Sequence, residues 1–158
     1  MTPPVRAPVQ LRDLYTADAI ALDLKARTKD EVLVELIGLL RVEERAAETL
    51  LRVLQRRESL GSTGVGRGIA IPHSRSLVTT RLRLAYGHHR TGVEFGAIDG
   101  KPVFDFFLIV APPLEVSNQY LPALGRIAQF AKDADMPDRL AALGSAEEFF
   151  RLLEEKGV

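Results

Sequence analysis

The run Gly61-Ser-Thr-Gly-Val-Gly-Arg-Gly-Ile-Ala-Ile-Pro-His-Ser-Arg75 constrains this chain more than any other stretch. Four glycines between positions 61 and 68 oppose a continuous helix, and Pro72 forbids a long one just beyond them. A glycine-dense loop can turn its backbone N–H groups inward and hold an anion, because no Cβ atoms obstruct the approach. Ser62 and Thr63 add two hydroxyls, and the short apolar run that follows ends on one imidazole, His73. A histidine beside such a loop is a candidate to carry phosphate. The competing reading is a plain glycine-rich turn with a satisfied histidine at a strand end.

Two nucleotide-binding readings fail on the residues. Gly61 and Gly66 have the G-x-x-x-x-G spacing, but Arg67-Gly68 stands where a phosphate-binding Lys-Ser/Thr pair is needed. Without that lysine and hydroxyl, nucleotide hydrolysis lacks its main charge-stabilising parts. A dinucleotide fingerprint must open a helix, and Ile69-Ala-Ile-Pro72 does not.

The chain's 158 residues suffice for one domain with its own core. Twenty-one basic residues balance 21 acidic ones, so no overall field favours nucleic acid or an anionic membrane. The absence of cysteine excludes disulfides, thiolate metal sites and Cys nucleophiles, and agrees with a reducing compartment. Residues 1–10 carry Pro3, Pro4 and Pro8 but no apolar signal-peptide core, so they read as a disordered leader to a domain over 11–158. No stretch approaches the roughly 20 apolar residues that span a bilayer. The expectation is a soluble, cytoplasmic protein with no membrane insertion, no metal and no cofactor.

Residues 19–24 read as a short strand. Thr28 and Glu31 form a capping box ahead of Leu33, Leu36, Ile37 and Leu40 at helical spacing. A second amphipathic helix is expected over 43–58, with Ala47, Leu50, Leu51 and Leu54 on one side. Leu82, Leu84 and Tyr86 alternate with Arg81, Arg83 and Ala85, as in a strand with one wet face. Residues 103–110 are apolar except for Asp105, which predicts a strand covered on both faces, ended by Pro112 and Pro113. A helix over 118–132 offers Leu121, Leu124, Ile127, Ala128 and Ala131 to the core, and Ser145 with Glu148 caps a last helix bearing Phe149, Leu152 and Leu153. Interleaved helices and strands predict an α/β (α+β) domain, a mixed central sheet flanked by helices. His88 and His89, adjacent on a strand, point to opposite faces, which argues against joint metal ligation and for a bland surface role. Phe95, Phe106 and Phe107 read as core.

The segment Arg57-Glu58-Ser-Leu-Gly61-Ser62-Thr63-Gly64-Val-Gly66-Arg-Gly68-Ile-Ala-Ile-Pro72-His73 closely resembles the active-site segment of enzyme IIA domains of the fructose/mannitol/nitrogen-regulatory class. These domains belong to the bacterial phosphoenolpyruvate-dependent phosphotransferase system. Val93-Glu-Phe95-Gly-Ala97-Ile-Asp99-Gly100-Lys-Pro102-Val103 resembles a second signature of the same family. The resemblance spans nearly the whole chain and implies a mannitol-specific enzyme IIA-like fold. It also implies that His73 accepts a phosphoryl group, by family habit on Nε2, from the phosphohistidine of HPr or its nitrogen-branch counterpart. An enzyme IIB or a regulatory target would follow downstream.

By the same resemblance, Arg57 is a candidate to face the phosphoryl oxygens, Ser62 and Thr63 to donate hydroxyl hydrogen bonds, and Gly64 and Gly66 to present N–H groups. Each has a structural alternative: Arg57 can pair with Glu58 or cap a helix end, and the hydroxyls can simply stabilise a turn. Family members usually carry a second histidine in a His-Leu-x-x-Leu pattern, where this chain reads Tyr120-Leu121-Pro122-Ala123-Leu124. Tyr120 can donate a hydrogen bond but cannot carry the charge of an imidazolium. A regulatory binding module with slow or absent phosphorylation is therefore the alternative to a working phosphocarrier. A non-covalent small-anion binder is a third reading.

Overall fold

The computed structural model describes residues 10–114 and 118–158, so the expected leader lies, apart from Gln10, outside the described residues. The chain runs α1 (Leu11–Leu14), a 3-10 turn (Ala17–Ala19), β1 (Ile20–Ala21), α2 (Lys29–Gly38), α3 (Glu44–Ser59), β2 (Gly64–Gly66), β3 (Ile69–Ala70) and β4 (His73–Arg75). It continues through β5 (Arg83–Val93), β6 (Val103–Ala111), α4 (Tyr120–Lys132), α5 (Met136–Ala141) and α6 (Ala146–Lys156).

Both anticipated N-caps form. Thr28 Oγ1 accepts from Glu31 N–H and Ser145 Oγ from Glu148 N–H, each at 3.2 Å. The returning carboxylates reach one residue further back than a capping box requires, to the N–H groups of Arg27 and Gly144.

Among the described residues, six strands form one mixed sheet in the order β1-β5-β6-β3-β2, with β4 beside β6 on the same edge as β3. β5 and β6 are antiparallel, while β1 runs parallel to β5, and β3 and β4 run parallel to β6. Side chains of β6 alternate between two cores. Phe106, Leu108 and Val110 pack with Leu33, Leu36, Leu50 and Leu54 of α2 and α3. Phe107 and Ile109 pack with Tyr120, Ile127, Phe130 and Phe149 of α4 and α6. The strand is thus covered on both faces, as its unbroken apolar run predicts.

Several expectations need correction. The first strand is two residues long, not six, and α1 and α5 carry too few residues for a helical period to show. On the expected wet face of the strand at 81–86, Arg81 is exposed and Arg83 half-buried, but Ala85 is fully buried, because β5 lies between β1 and β6 with helices on both faces. α4 starts at Tyr120, and its inward stripe is Tyr120, Ala123, Ile127, Phe130 and Ala131. Leu121 falls outside that stripe and is 65% exposed. His88 and His89 do point to opposite faces, but neither is a surface residue: both are buried, one against Asp105 and the other against the Ala26 carbonyl.

Candidate functional site

The glycine segment folds as a β-hairpin. β2 and β3 are antiparallel with Gly66 opposite Ile69, and the turn residues Arg67 (φ 60°) and Gly68 (φ 77°) both take positive φ, the requirement of a type I′ hairpin. Arg67 holds this uncommon conformation through bonds on two sides. Its N–H donates to Asp99 Oδ2 (3.1 Å), and its guanidinium donates to the Lys132 and Asp133 carbonyls at the end of α4 (both 2.6 Å).

The two signature segments pack against each other. A Cβ on Gly64 would lie 2.8 Å from Ala97 Cα, so only glycine lets the segments touch there. Ile98 N–H donates to the Gly64 carbonyl (3.1 Å), and Ser62 Oγ donates to the Phe95 carbonyl (2.8 Å). Behind them lies the buried carboxylate of Glu58, which accepts from Thr63 N–H (2.9 Å) and Thr63 Oγ1–H and pairs with Lys29 Nζ (3.1 Å). Lys29 also donates to the Phe95 carbonyl and stands 4.5 Å from the Phe95 ring centroid.

The hairpin delivers the chain to His73, the first residue of β4. His73 Nδ1 lies 2.7 Å from the Ile71 carbonyl. A carbonyl only accepts, so Nδ1 carries the proton and the neutral ring presents its lone pair at Nε2. The imidazole is half-buried.

His73 and Arg75 are register partners of Ile109 and Ala111, two members of the core that contains Tyr120. Both side chains therefore share the sheet face covered by α4. The Arg75 guanidinium sits 4.6 Å from the Tyr120 ring centroid, a cation–π stack, and Arg75 Nη1 donates to the Pro112 carbonyl (3.1 Å). Burial pushes the Tyr120 phenol upward, and the charges of Arg75 and Arg57 pull against that shift. Tyr120 consequently keeps its proton at neutral pH and remains a donor.

The structure thus places Arg57, Arg75 and Tyr120 on the elements around His73. Arg57 Nη1 donates to the Gly61 carbonyl (2.8 Å), bracing the exit from α3. The Ser62 and Thr63 hydroxyls are bonded to Phe95 and Glu58, and Gly64 N–H donates to Ser62 Oγ (3.0 Å). These groups build the hairpin that carries the histidine. Gly66, at φ 93°, ends β2 where the hairpin turns. Sequence reasoning assigned no role to Arg75, although its position two residues after His73 on a strand gives it the same face.

Residues 13–156 match the family described as phosphoenolpyruvate-dependent sugar phosphotransferase system, EIIA 2. The chain belongs to this family. Among relatives of this enzyme IIA type, the nitrogen regulatory protein of Pseudomonas aeruginosa is 33% identical over 147 residues, covering 92% of this chain and 95% of its own. The structure of nitrogen regulatory protein IIA-Ntr from Neisseria meningitidis superposes with a TM-score of 0.82 at 30% identity, over 90% of this chain and 98% of that one. Mannitol IIA of Escherichia coli follows with a TM-score of 0.71 at 25% identity, over 88% and 98%. Among the described residues, no helix is long and apolar enough to cross a membrane, and no cluster of His, Cys, Asp or Glu is suited to a metal ion.

Proposed function

We propose that the protein is a phosphocarrier whose His73 Nε2 takes a phosphoryl group from the phosphohistidine of an HPr-like donor. The observation that carries this reading is the 2.7 Å approach of His73 Nδ1 to the Ile71 carbonyl, which leaves Nε2 as the nucleophilic nitrogen. In the transfer, the Nε2 lone pair forms a bond to phosphorus as the donor N–P bond breaks, and that electron pair returns to the donor imidazole. The product ring keeps Nδ1–H on Ile71, so the carbonyl dipole stabilises the positive charge the ring acquires. Arg75 and Arg57 supply positive charge for the phosphoryl oxygens, and the Tyr120 hydroxyl supplies a donor.

Exposed Leu60, Val65 and Ile98 of the two signature segments, with Leu121 beside Tyr120, supply the apolar part of a transient docking face for donor and acceptor. The acceptor is an enzyme IIB or a protein target regulated by the phosphorylation state. The similarity to nitrogen regulatory proteins favours the regulatory use.

Incubation with phosphoenolpyruvate, enzyme I and an HPr-type donor tests the proposal. It predicts an acid-labile phosphate on the wild type and none on His73→Ala. An unlabelled wild type beside a labelled donor would refute it. A regulatory module that is phosphorylated slowly is the second reading, favoured by Tyr120 in place of a histidine. Tyr120→His separates the two: faster labelling supports the slow module, and an unchanged rate removes its basis.

A further inference from the structure

A second polar centre lies on the α4–α6 face of the sheet, four residues along β6 from the His73 register and so about 13 Å away. Asp105, 2% exposed in the middle of the sheet, accepts on one oxygen from two neighbours of β5. Tyr86 O–H donates at 2.6 Å and His88 Nδ1–H at 2.7 Å. The carboxylate thereby fixes the His88 ring and directs Nε2 away from the sheet.

Among the described residues no protein group bonds His88 Nε2, and the atom is not sealed from solvent. His88, Arg90, Leu22, Ala141, Leu143 and Gly144 line a cavity of about 370 Å³ between β5 and the α5–α6 turn. Arg90, two residues after His88, lines the same cavity. Its guanidinium is mostly exposed and is held only loosely, 3.5 Å from Asp23, which pairs more closely with Lys25.

We propose that this cavity is a binding site for a small monocarboxylate with a short aliphatic body. The carboxylate takes two N–H donors from the Arg90 fork, displacing Asp23, and a third from His88 Nε2–H after that nitrogen takes one proton from water on binding, while Nδ1–H stays on Asp105. Leu22, Ala141 and Leu143 cover the aliphatic part. A single fork and one imidazole match one planar anionic head better than the three oxygens of a phosphate dianion. The size suits a small molecule and excludes a polymer.

The test is a heteronuclear NMR titration of the full chain with butyrate, following the His88 ring and the amides of Leu143 and Gly144, with acetate and inorganic phosphate as comparison probes. The site predicts saturable shifts at millimolar butyrate, weaker binding of acetate, and at least about tenfold weaker binding in Arg90→Gln and in His88→Gln. Arg90 is a surface residue, so its variant keeps the test valid if His88→Gln fails to fold. Shifts that never saturate, that survive Arg90→Gln, or that phosphate reproduces at equal affinity would overturn the assignment.

Discussion

At Gly64 the missing Cβ lets the hairpin touch the second signature segment, and the atom it would meet is the Ala97 backbone, which has no rotamer to yield. Gly64→Ala is therefore expected to cost about 2 kcal/mol in urea unfolding and to slow labelling of His73 as the hairpin shifts. Tyr15 presents the reverse case. Its hydroxyl is buried without a partner among the described residues, and its ring packs edge-on against Phe149. Tyr15→Phe keeps the ring and removes the orphan donor, so it should stabilise the protein by about 1 kcal/mol. A loss of stability would show that the hydroxyl is satisfied. At this scale the sequence exposed His73 and the glycines, because their types are rare and their spacing is local. It did not expose Asp105 with His88, because a contact 17 residues apart forms only once β5 and β6 pair.

Element by element, the brace behind the hairpin is the buried Glu58 carboxylate, which ties the end of α3 to Thr63 and to Lys29 at the start of α2. Glu58→Ala leaves Thr63 N–H and the half-covered Lys29 ammonium without that partner. A destabilisation of about 3 kcal/mol is expected by thermal or urea unfolding. Loss of under about 0.5 kcal/mol would mean that the brace is replaceable. α2 was legible from its cap and apolar period and α3 from its apolar period alone, and so was the doubly covered β6. The start of α4 was not. Nor was its inward face, because the apolar residues of α4 fit more than one helical stripe, and packing the stripe of Tyr120, Ala123, Ile127 and Phe130 inward leaves Leu121 outside. Arg67 and the α4 carbonyls it caps are joined across 65 residues, a link local patterns do not contain.

Across the whole molecule, stability should follow the exposed carboxylates. Asp99 is held below its usual range by the N–H groups of Lys101 and Arg67, Asp135 by Lys156, and Glu155 by Arg139. A depressed folded-state value means that each contribution is present above the unfolded value near about 4 and is lost as pH falls through the folded one. The melting temperature should therefore hold steady from neutral pH to about 5 and fall below about 4, with the ion-paired share reduced in about 1 M salt. A melting temperature that rises on acidification would reverse the sign. The layered α/β plan was legible in the alternation of helices and strands. Strand order was not, since it depends on which edges meet.

In the proposed phosphocarrier, Ile71 holds His73 so that Nε2 is the reacting nitrogen. Nitrogen-15 spectra of the His73 imidazole, taken before and after phosphorylation by the donor relay, test it most directly. The expected result is a proton on Nδ1 in the free protein and phosphorus coupling on Nε2 in the phosphorylated one. A proton on Nε2 at rest, or phosphorus bound at Nδ1 or at another histidine, would contradict it.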